Sequence, residues 1–467
     1  MARVASLKVF GILAAWALSL AARVAVGGDD ATAPAAKPDQ EAVAKWLDRA
    51  EQSAASLPET QLIAVLPMLW EPMAGAGKDE PIDRLLAIIR DPNQRAKLGY
   101  AACSALGNAG RYDAAIRRAQ ALPRERRNDS FGEGSSWRIG ALEDIVIVQS
   151  LTYDFANAKK TIALIDDPES ISDAYLWLAE DQAKAGLYAE ADESLDRVVA
   201  TTEYHKDRKA ETRQLIARYK AARQKDPPRK MRLTCYESLR YANVPFLNLG
   251  VQFDNLAQAE LAEKAADRLA EEGAEIKAIA WQEIAWTYYD MRNMDKNNLK
   301  RCRRAIEKSL QSAEIIPKDP VDSYERAVQF AAAANLYLEL GESGLAKQAA
   351  EKAGTVDFNK DVLVQLSGCC TQMLVAVLVR VGNIDGGREI AENLQKTASK
   401  KKAKASSATS ADIAWLTWAT ACTLEGKTAS VERLLEKTDN ARTKAVLCAG
   451  VAAGLLELQQ RPESKKS

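Results

Sequence analysis

The chain of 467 residues contains one histidine, His205. A Ser-His-Asp or Cys-His catalytic set would have to be built on it. Histidine-based zinc sites, which need two or three such ligands at close spacing, are excluded. Its neighbours Glu203, Tyr204, Lys206 and Asp207 are polar, so it reads as an ordinary surface histidine on a solvated helix end. An excess of one charge is also missing. Lys+Arg and Asp+Glu both number 64, giving a formal net charge of zero, whereas a nucleic-acid binder carries a basic excess. Aromatic residues make up only 6%, which favours close helix packing over sheets. There is no Gly-x-x-x-x-Gly-Lys-Ser/Thr loop. Gly132-Glu133-Gly134 and Gly75-Ala76-Gly77 lack the preceding strand a phosphate loop requires. No cofactor or metal is called for.

Cysteine pairing is scarce in signal too. The seven cysteines are odd in number, widely spaced and form no Cys-x-x-Cys pair. Cys103, Cys422 and Cys448 lie among Ala and Leu, where cysteine packs as a small apolar residue, so buried free thiols are expected. Cys369 and Cys370 are adjacent; on a helix they point about 100° apart, and a bond between them would strain the backbone.

Long apolar runs are limited to one. Val9 to Ala22 spans fourteen residues, follows Arg3 and Lys8, and precedes the small residues Ala25-Val26-Gly27. As a helix it would reach about 21 Å, short of a bilayer core of roughly 30 Å. It reads as an export signal over residues 1–27, cleaved rather than kept as an anchor. No cysteine lies near the cleavage site to carry a lipid. Residues 28–40, rich in Ala, Asp and Pro, read as a flexible linker. No later segment approaches eighteen consecutive apolar residues, so no transmembrane segment is expected after cleavage, and the protein is expected to be exported, periplasmic or secreted.

What remains is globular, at 47% hydrophobic and 27% charged residues. Its main feature is a motif that recurs between amphipathic helical patterns. The chain reads GRYDAA at Gly110 and GLYAEA at Gly186. Ahead of Gly186 stand Tyr175, Leu178 and Ala179; after it come Tyr188, Ala191 and Leu195. Small side chains at Ala179 and Ala191 let two helices approach, and Gly186 closes the first helix in a left-handed cap. Gly341 has Phe330 and Tyr337 before it and Ala346 after it. Gly426 has Trp415 and Trp418 before it and Leu435 after it. Gly382 has Leu374 before it, with Gly387 in the alanine place. Tyr153 takes the glycine place ahead of Phe155 and Ala158, and Phe253 and Lys296 mark two degenerate copies. The intervals are 43 residues from 110 to 153, 33 from 153 to 186, 43 from 253 to 296, 45 from 296 to 341, 41 from 341 to 382 and 44 from 382 to 426. Prolines 92, 123, 168 and 317 fall after second helices, where proline stops the turn.

This pattern resembles the tetratricopeptide repeat, with its bulky aromatic, Leu-Gly, Gly-x-Tyr and Ala positions; Ala179 replaces the first glycine. The resemblance covers most of residues 60–455 and is most specific at Gly186. It implies an all-α solenoid of stacked antiparallel helical hairpins with irregular repeats of 33–45 residues. The first helices of such a solenoid line a concave face that grips a peptide or protein partner. Helical phase places Tyr175, Gln182, Asn335, Glu339, Gln372 and Thr420 on that face. N-terminal repeats are expected over 41–222, a charged Pro-Pro break over 223–232, and C-terminal repeats over 233–460, with an exposed loop at 396–410 and a tail at 461–467.

The function expected is a non-catalytic scaffold for a protein or peptide partner, acting outside the cytoplasm. The alternative is an exported polysaccharide-acting enzyme with paired carboxylates on a helical toroid, for which Glu180 with Asp181, or Glu283 with Asp290, are candidates that otherwise read as solvated helix faces. Self-association through terminal repeats is a third reading. The basic clusters are Arg124/Arg126/Arg127, Arg301/Arg303/Arg304 and Lys400/Lys401/Lys402/Lys404; the last is placed to touch an anionic polymer or membrane surface, but it lacks the interleaved aromatics a single-strand binder uses and reads as a solvated loop. Trp177, Trp281, Trp286, Trp415 and Trp418 fall on first helices, mostly as core wedges.

Overall fold

The computed structural model describes residues 40–124, 126–129, 132–199, 202–222, 263, 266–267, 274–290, 292, 295, 297–316, 322–353, 368–400 and 410–460. The signal segment, nearly all of the linker, the Pro-Pro break, the tail and the copies at Phe253 and Lys296 lie outside them. Among the described residues every element is a helix except one short ribbon. Arg126–Asp129 (β1) pairs antiparallel with Gly132–Ser136 (β2), so Gly132 and Gly134 sit on a hairpin strand. No described helix is long and apolar enough to cross a membrane.

The chain divides into two compact units, Leu69–Thr234 and a second that joins Met1–Met68 to Cys235–Ser467. Two helices precede or span the first division: α1 (Gln40–Ala55) and α2 (Glu59–Gly75). The Leu69–Thr234 unit continues with α3 (Asp79–Ile88), α4 (Pro92–Asn108), α5 (Tyr112–Ala121), α6 (Trp137–Leu151), α7 (Phe155–Ile162), α8 (Pro168–Lys184), α9 (Tyr188–Asp196) and α10 (Glu203–Ala222). The other holds α11 (Ala274–Asp290), α12 (Asn297–Ile315), α13 (Asp322–Glu339), α14 (Ser343–Ala353), α15 (Gly368–Arg380), α16 (Ile384–Lys400), α17 (Ser410–Leu424), α18 (Thr428–Lys437) and α19 (Ala441–Gln460).

One turn recurs between these helices. Gly77, Gly110, Gly186, Gly341, Gly382 and Gly426 all have φ between 68° and 91°, and Tyr153 takes the same left-handed conformation at φ 62°. In each turn the following residue donates its N–H to a carbonyl five residues back, as Leu187 does to Gln182 at 2.9 Å and Asp154 to Gln149 at 2.8 Å. That bond satisfies a carbonyl the helix end would leave orphaned. The helix before each turn is called first, the one after it second. Entry to a first helix is also built locally. Asp91 caps α4 by accepting from the N–H groups of Asn93 and Gln94, and Asp167 caps α8 by accepting from Ser170, with Pro92 and Pro168 at the opening position.

In one unit α4, α6 and α8, and in the other α11, α13, α15 and α17, each pack on the second helix that follows and on the next first helix, the two series ending at α10 and α19. Ala179 and Ala191 are fully buried at the α8–α9 contact beside Leu195, with Tyr175 half-buried against them. Trp281, Tyr288, Phe330 and Trp418 are fully buried. Second helices are tied to one another by ion pairs: Asp83 to Arg118 at 2.7 Å, Lys159 to Glu193 at 3.3 Å, and Glu314 to Lys352.

The first described helix packs on the last described one. Val43, Trp46, Leu47, Ala50 and Ala54 form a buried stripe at helical spacing, and α1 lies against α19. Residues up to Met68 therefore group with the C-terminal helices, a division distinct from a single cut at 223–232. The loop expected at 396–410 is shorter at its start, because α16 runs on through Lys400. Lys and Ala are good helix formers, and polarity alone does not end a helix.

Candidate functional site: polar clusters on the first helices

Three successive first helices meet in one polar cluster. Asn335 and Glu339 lie four residues apart on α13, hence on one face. From α15, Arg380 donates to Asn335 Oδ1 at 2.6 Å and to Glu339 Oε1 at 3.2 Å. From α11, the Tyr289 hydroxyl donates to Glu339 Oε2 at 3.2 Å, and the Arg292 guanidinium stacks 4.1 Å above the Tyr289 ring. The Arg380 and Glu339 side chains are only 9% and 3% exposed. Burial pushes the Glu339 carboxyl up to about 7, against the lowering effect of Arg380, Tyr289 and Arg292. Desolvation outweighs the bonds that favour the charged form.

A second cluster lies between α8 and α10. Glu180 accepts from Arg208 at 2.7 Å and from the Thr212 hydroxyl at 3.2 Å, while Asp181 accepts from Lys184 at 2.8 Å. Both carboxylates are buried, which corrects the reading of a solvated face. Being adjacent on a helix they point about 100° apart, and each is held by its own cation. His205 is likewise not a surface histidine; it is 3% exposed. Its Nδ1 lies 2.8 Å from the Thr202 hydroxyl and its Nε2 3.5 Å from Asp173 of α8. The side chains of Glu283 and Asp290 lie outside the described residues.

Gln182, Gln372 and Thr420, also expected on the concave face from helical phase, are buried within the chain. Gln182 is buried and accepts from the Ser194 hydroxyl at 2.7 Å. The Thr420 hydroxyl lies 2.9 Å from the Leu416 carbonyl and 3.0 Å from that of Gly450 on α19. Gln372 is buried, and its Oε1 has no hydrogen-bond partner among the described residues. Of the six, the structure brings only Asn335 and Glu339 together. Tyr289 and Arg380 were not among the positions read from the sequence. The signal was present, however: Glu339 and Arg380 are 41 residues apart, and so are Gly341 and Gly382. Opposite charges therefore stand at equivalent positions of successive repeats.

Two members of the 301–304 basic cluster pair with acidic neighbours, Arg303 with Glu342 and Arg304 with Glu263. Cys103, Cys302, Cys422 and Cys448 are buried free thiols. The side chains of Cys235, Cys369 and Cys370 lie outside the described residues. Among the described residues no group of three or more His, Cys, Asp or Glu is placed to hold a metal ion. No protein-family model matches the chain, and no curated protein matches it.

Proposed function

We propose that the protein is a non-catalytic interaction scaffold, tetratricopeptide-like in plan, that holds a peptide or protein partner along a concave face formed by its first helices. The observation that carries this reading is the joining of α11, α13 and α15 through Tyr289, Asn335, Glu339 and Arg380. A buried polar tie between successive first helices fixes their spacing before any partner arrives. A preorganised face loses less entropy on binding than one that must be ordered. Second helices, by contrast, carry ion pairs to one another, as Asp83–Arg118, Lys159–Glu193 and Glu314–Lys352 do. Action outside the cytoplasm is supported by the basic start and the apolar run from Val9 to Ala22.

The test is affinity capture from the native extracytoplasmic fraction with the mature chain, against a variant that reverses exposed charge on the first-helix faces. A stoichiometric partner lost in the folded variant supports the scaffold. Equal recovery on both, or no partner at all, defeats it.

A further inference from the structure

We propose that a cleft in the Leu69–Thr234 unit, between α3, α4 and α5, docks an extended acidic peptide segment of a partner protein. The site lies where the second helices α3 and α5 meet the first helix α4, and it does not depend on the polar clusters described above. The cleft has a volume of about 540 Å³, within the range of ligand sites, and its walls include Leu86, Ala96, Ala114 and Leu122. These side chains offer an apolar floor to one or two side chains of an occupant.

The charges around this floor are unequal. Asp79 is paired with Arg111 at 2.7 Å, and Asp83 with Arg118 at 2.7 Å, so both carboxylates of the lining already have a cation. Two further arginines of the lining are exposed, Arg95 on α4 and Arg117 on α5. Arg95 bonds only to backbone carbonyls, those of Ile89 at 2.8 Å and Arg90 at 3.4 Å. Among the described residues no carboxylate pairs with Arg95 or Arg117. A protein of zero formal charge thus carries a local cationic excess over an apolar floor. Guanidinium groups match carboxylates in fork geometry. The two stand on different helices, so an occupant that answers both needs carboxylates spaced along a chain. An acidic peptide with an apolar residue between or beside its carboxylates meets both requirements.

The probe is a displayed library of random heptapeptides, selected on the full mature chain and on Arg117→Glu and Ala114→Trp. The first variant reverses charge at an exposed position, so it keeps the fold. The second fills the floor, and its fold is checked by circular dichroism. The expected result is enrichment of acidic sequences with an apolar residue. Their affinity falls roughly tenfold or more in Arg117→Glu and in Ala114→Trp, and charge reversal at the exposed Arg433 of α18, in the other unit, leaves it unchanged. The proposal is overturned by no enrichment over beads, by basic or uncharged winners, or by acidic winners that bind Arg117→Glu as tightly as the parent.

Discussion

Arg380 reaches across from α15 to Glu339 on α13, 3.2 Å away, with both side chains nearly closed to solvent. Breaking a buried ion pair by removing one partner leaves an uncompensated charge and costs about 3–5 kcal/mol. Here the abandoned group has an escape. Glu339 already titrates near 7, and loss of the lowering effect of Arg380 moves it higher. At pH 5 it would be protonated in the folded variant and the penalty small. At pH 8 the penalty is present. Arg380→Met is therefore expected to lose more stability at pH 8 than at pH 5 in urea unfolding, and Tyr289→Phe, which removes a smaller lowering effect on Glu339, to show a smaller difference of the same sign.

Glu71 offers a cleaner pH test, because it has no cation to lose. Burial raises its carboxyl from 4.5 to about 7, against a lowering hydrogen bond with Asn108. A carboxyl raised on folding holds its proton more tightly in the folded state. Its stabilising effect is complete below 4.5 and lost as pH rises towards 7 and above. Glu71→Gln should flatten the fall in stability between those values. At pH 8 it should raise stability, by at most about 3 kcal/mol from the size of the shift. Thermal unfolding of both proteins across pH 5 to 8 checks it; parallel curves would refute it.

The buried thiols should be inert while the chain is folded. Cys103 and Cys422 are pushed up to about 12 and Cys448 to about 11, in each case chiefly by burial. The thiolate is the reactive form, so iodoacetamide at pH 8 should leave all three unmodified in the native protein and label them in urea. Peptide mass spectrometry reads each site separately. Rapid native labelling of Cys448 would show that the α1–α19 contact opens.

The glycine signal made the hairpins legible before any coordinates. It marked the turns at 110, 186, 341, 382 and 426, and Tyr153 in the glycine place has the same left-handed backbone. Helical phase likewise put Asn335 and Glu339 on one face. What stayed hidden depends on contacts between distant segments. The polar neighbours of His205 are its neighbours in sequence, but α8 covers it and supplies Asp173. Glu180 lies under Arg208, 28 residues on. The turn at Gly77 has no aromatic residue after it to complete the motif. Nothing local to α1 tells that its apolar stripe meets α19, at the other end of the chain.

Tyr153 tests the turn chemistry directly. A non-glycine residue in the left-handed region costs roughly 1–2 kcal/mol, and its ring partly offsets that through an edge contact with Phe155 at 5.7 Å. Tyr153→Gly should therefore change stability by less than about 1 kcal/mol, although it removes an aromatic side chain. Gly341→Ala should cost about 1 kcal/mol, from backbone strain alone, since a Cβ there meets nothing within 4 Å.

Gly450 is the opposite case, where space rather than backbone conformation demands glycine. A Cβ built there would stand 2.5 Å from the Leu416 carbonyl oxygen and 2.8 Å from the Ala419 Cβ. One turn on, a Cβ at Gly454 would stand 2.7 Å from the Thr423 Cβ. Both sites lie on α19 against α17, and neither neighbour is a flexible side-chain end, so the helices themselves would have to part. Alanine is the better helix former by about 1 kcal/mol. Overpacking costs typically 1–3 kcal/mol and wins here, because backbone must move. Gly450→Ala is expected to be destabilising despite its helical gain. The double variant with Gly454→Ala should cost less than the sum of the two, since one separation of the helices relieves both clashes. Chemical unfolding of the singles and the double decides it. A stabilised Gly450→Ala would mean that α17 and α19 are not in this close contact.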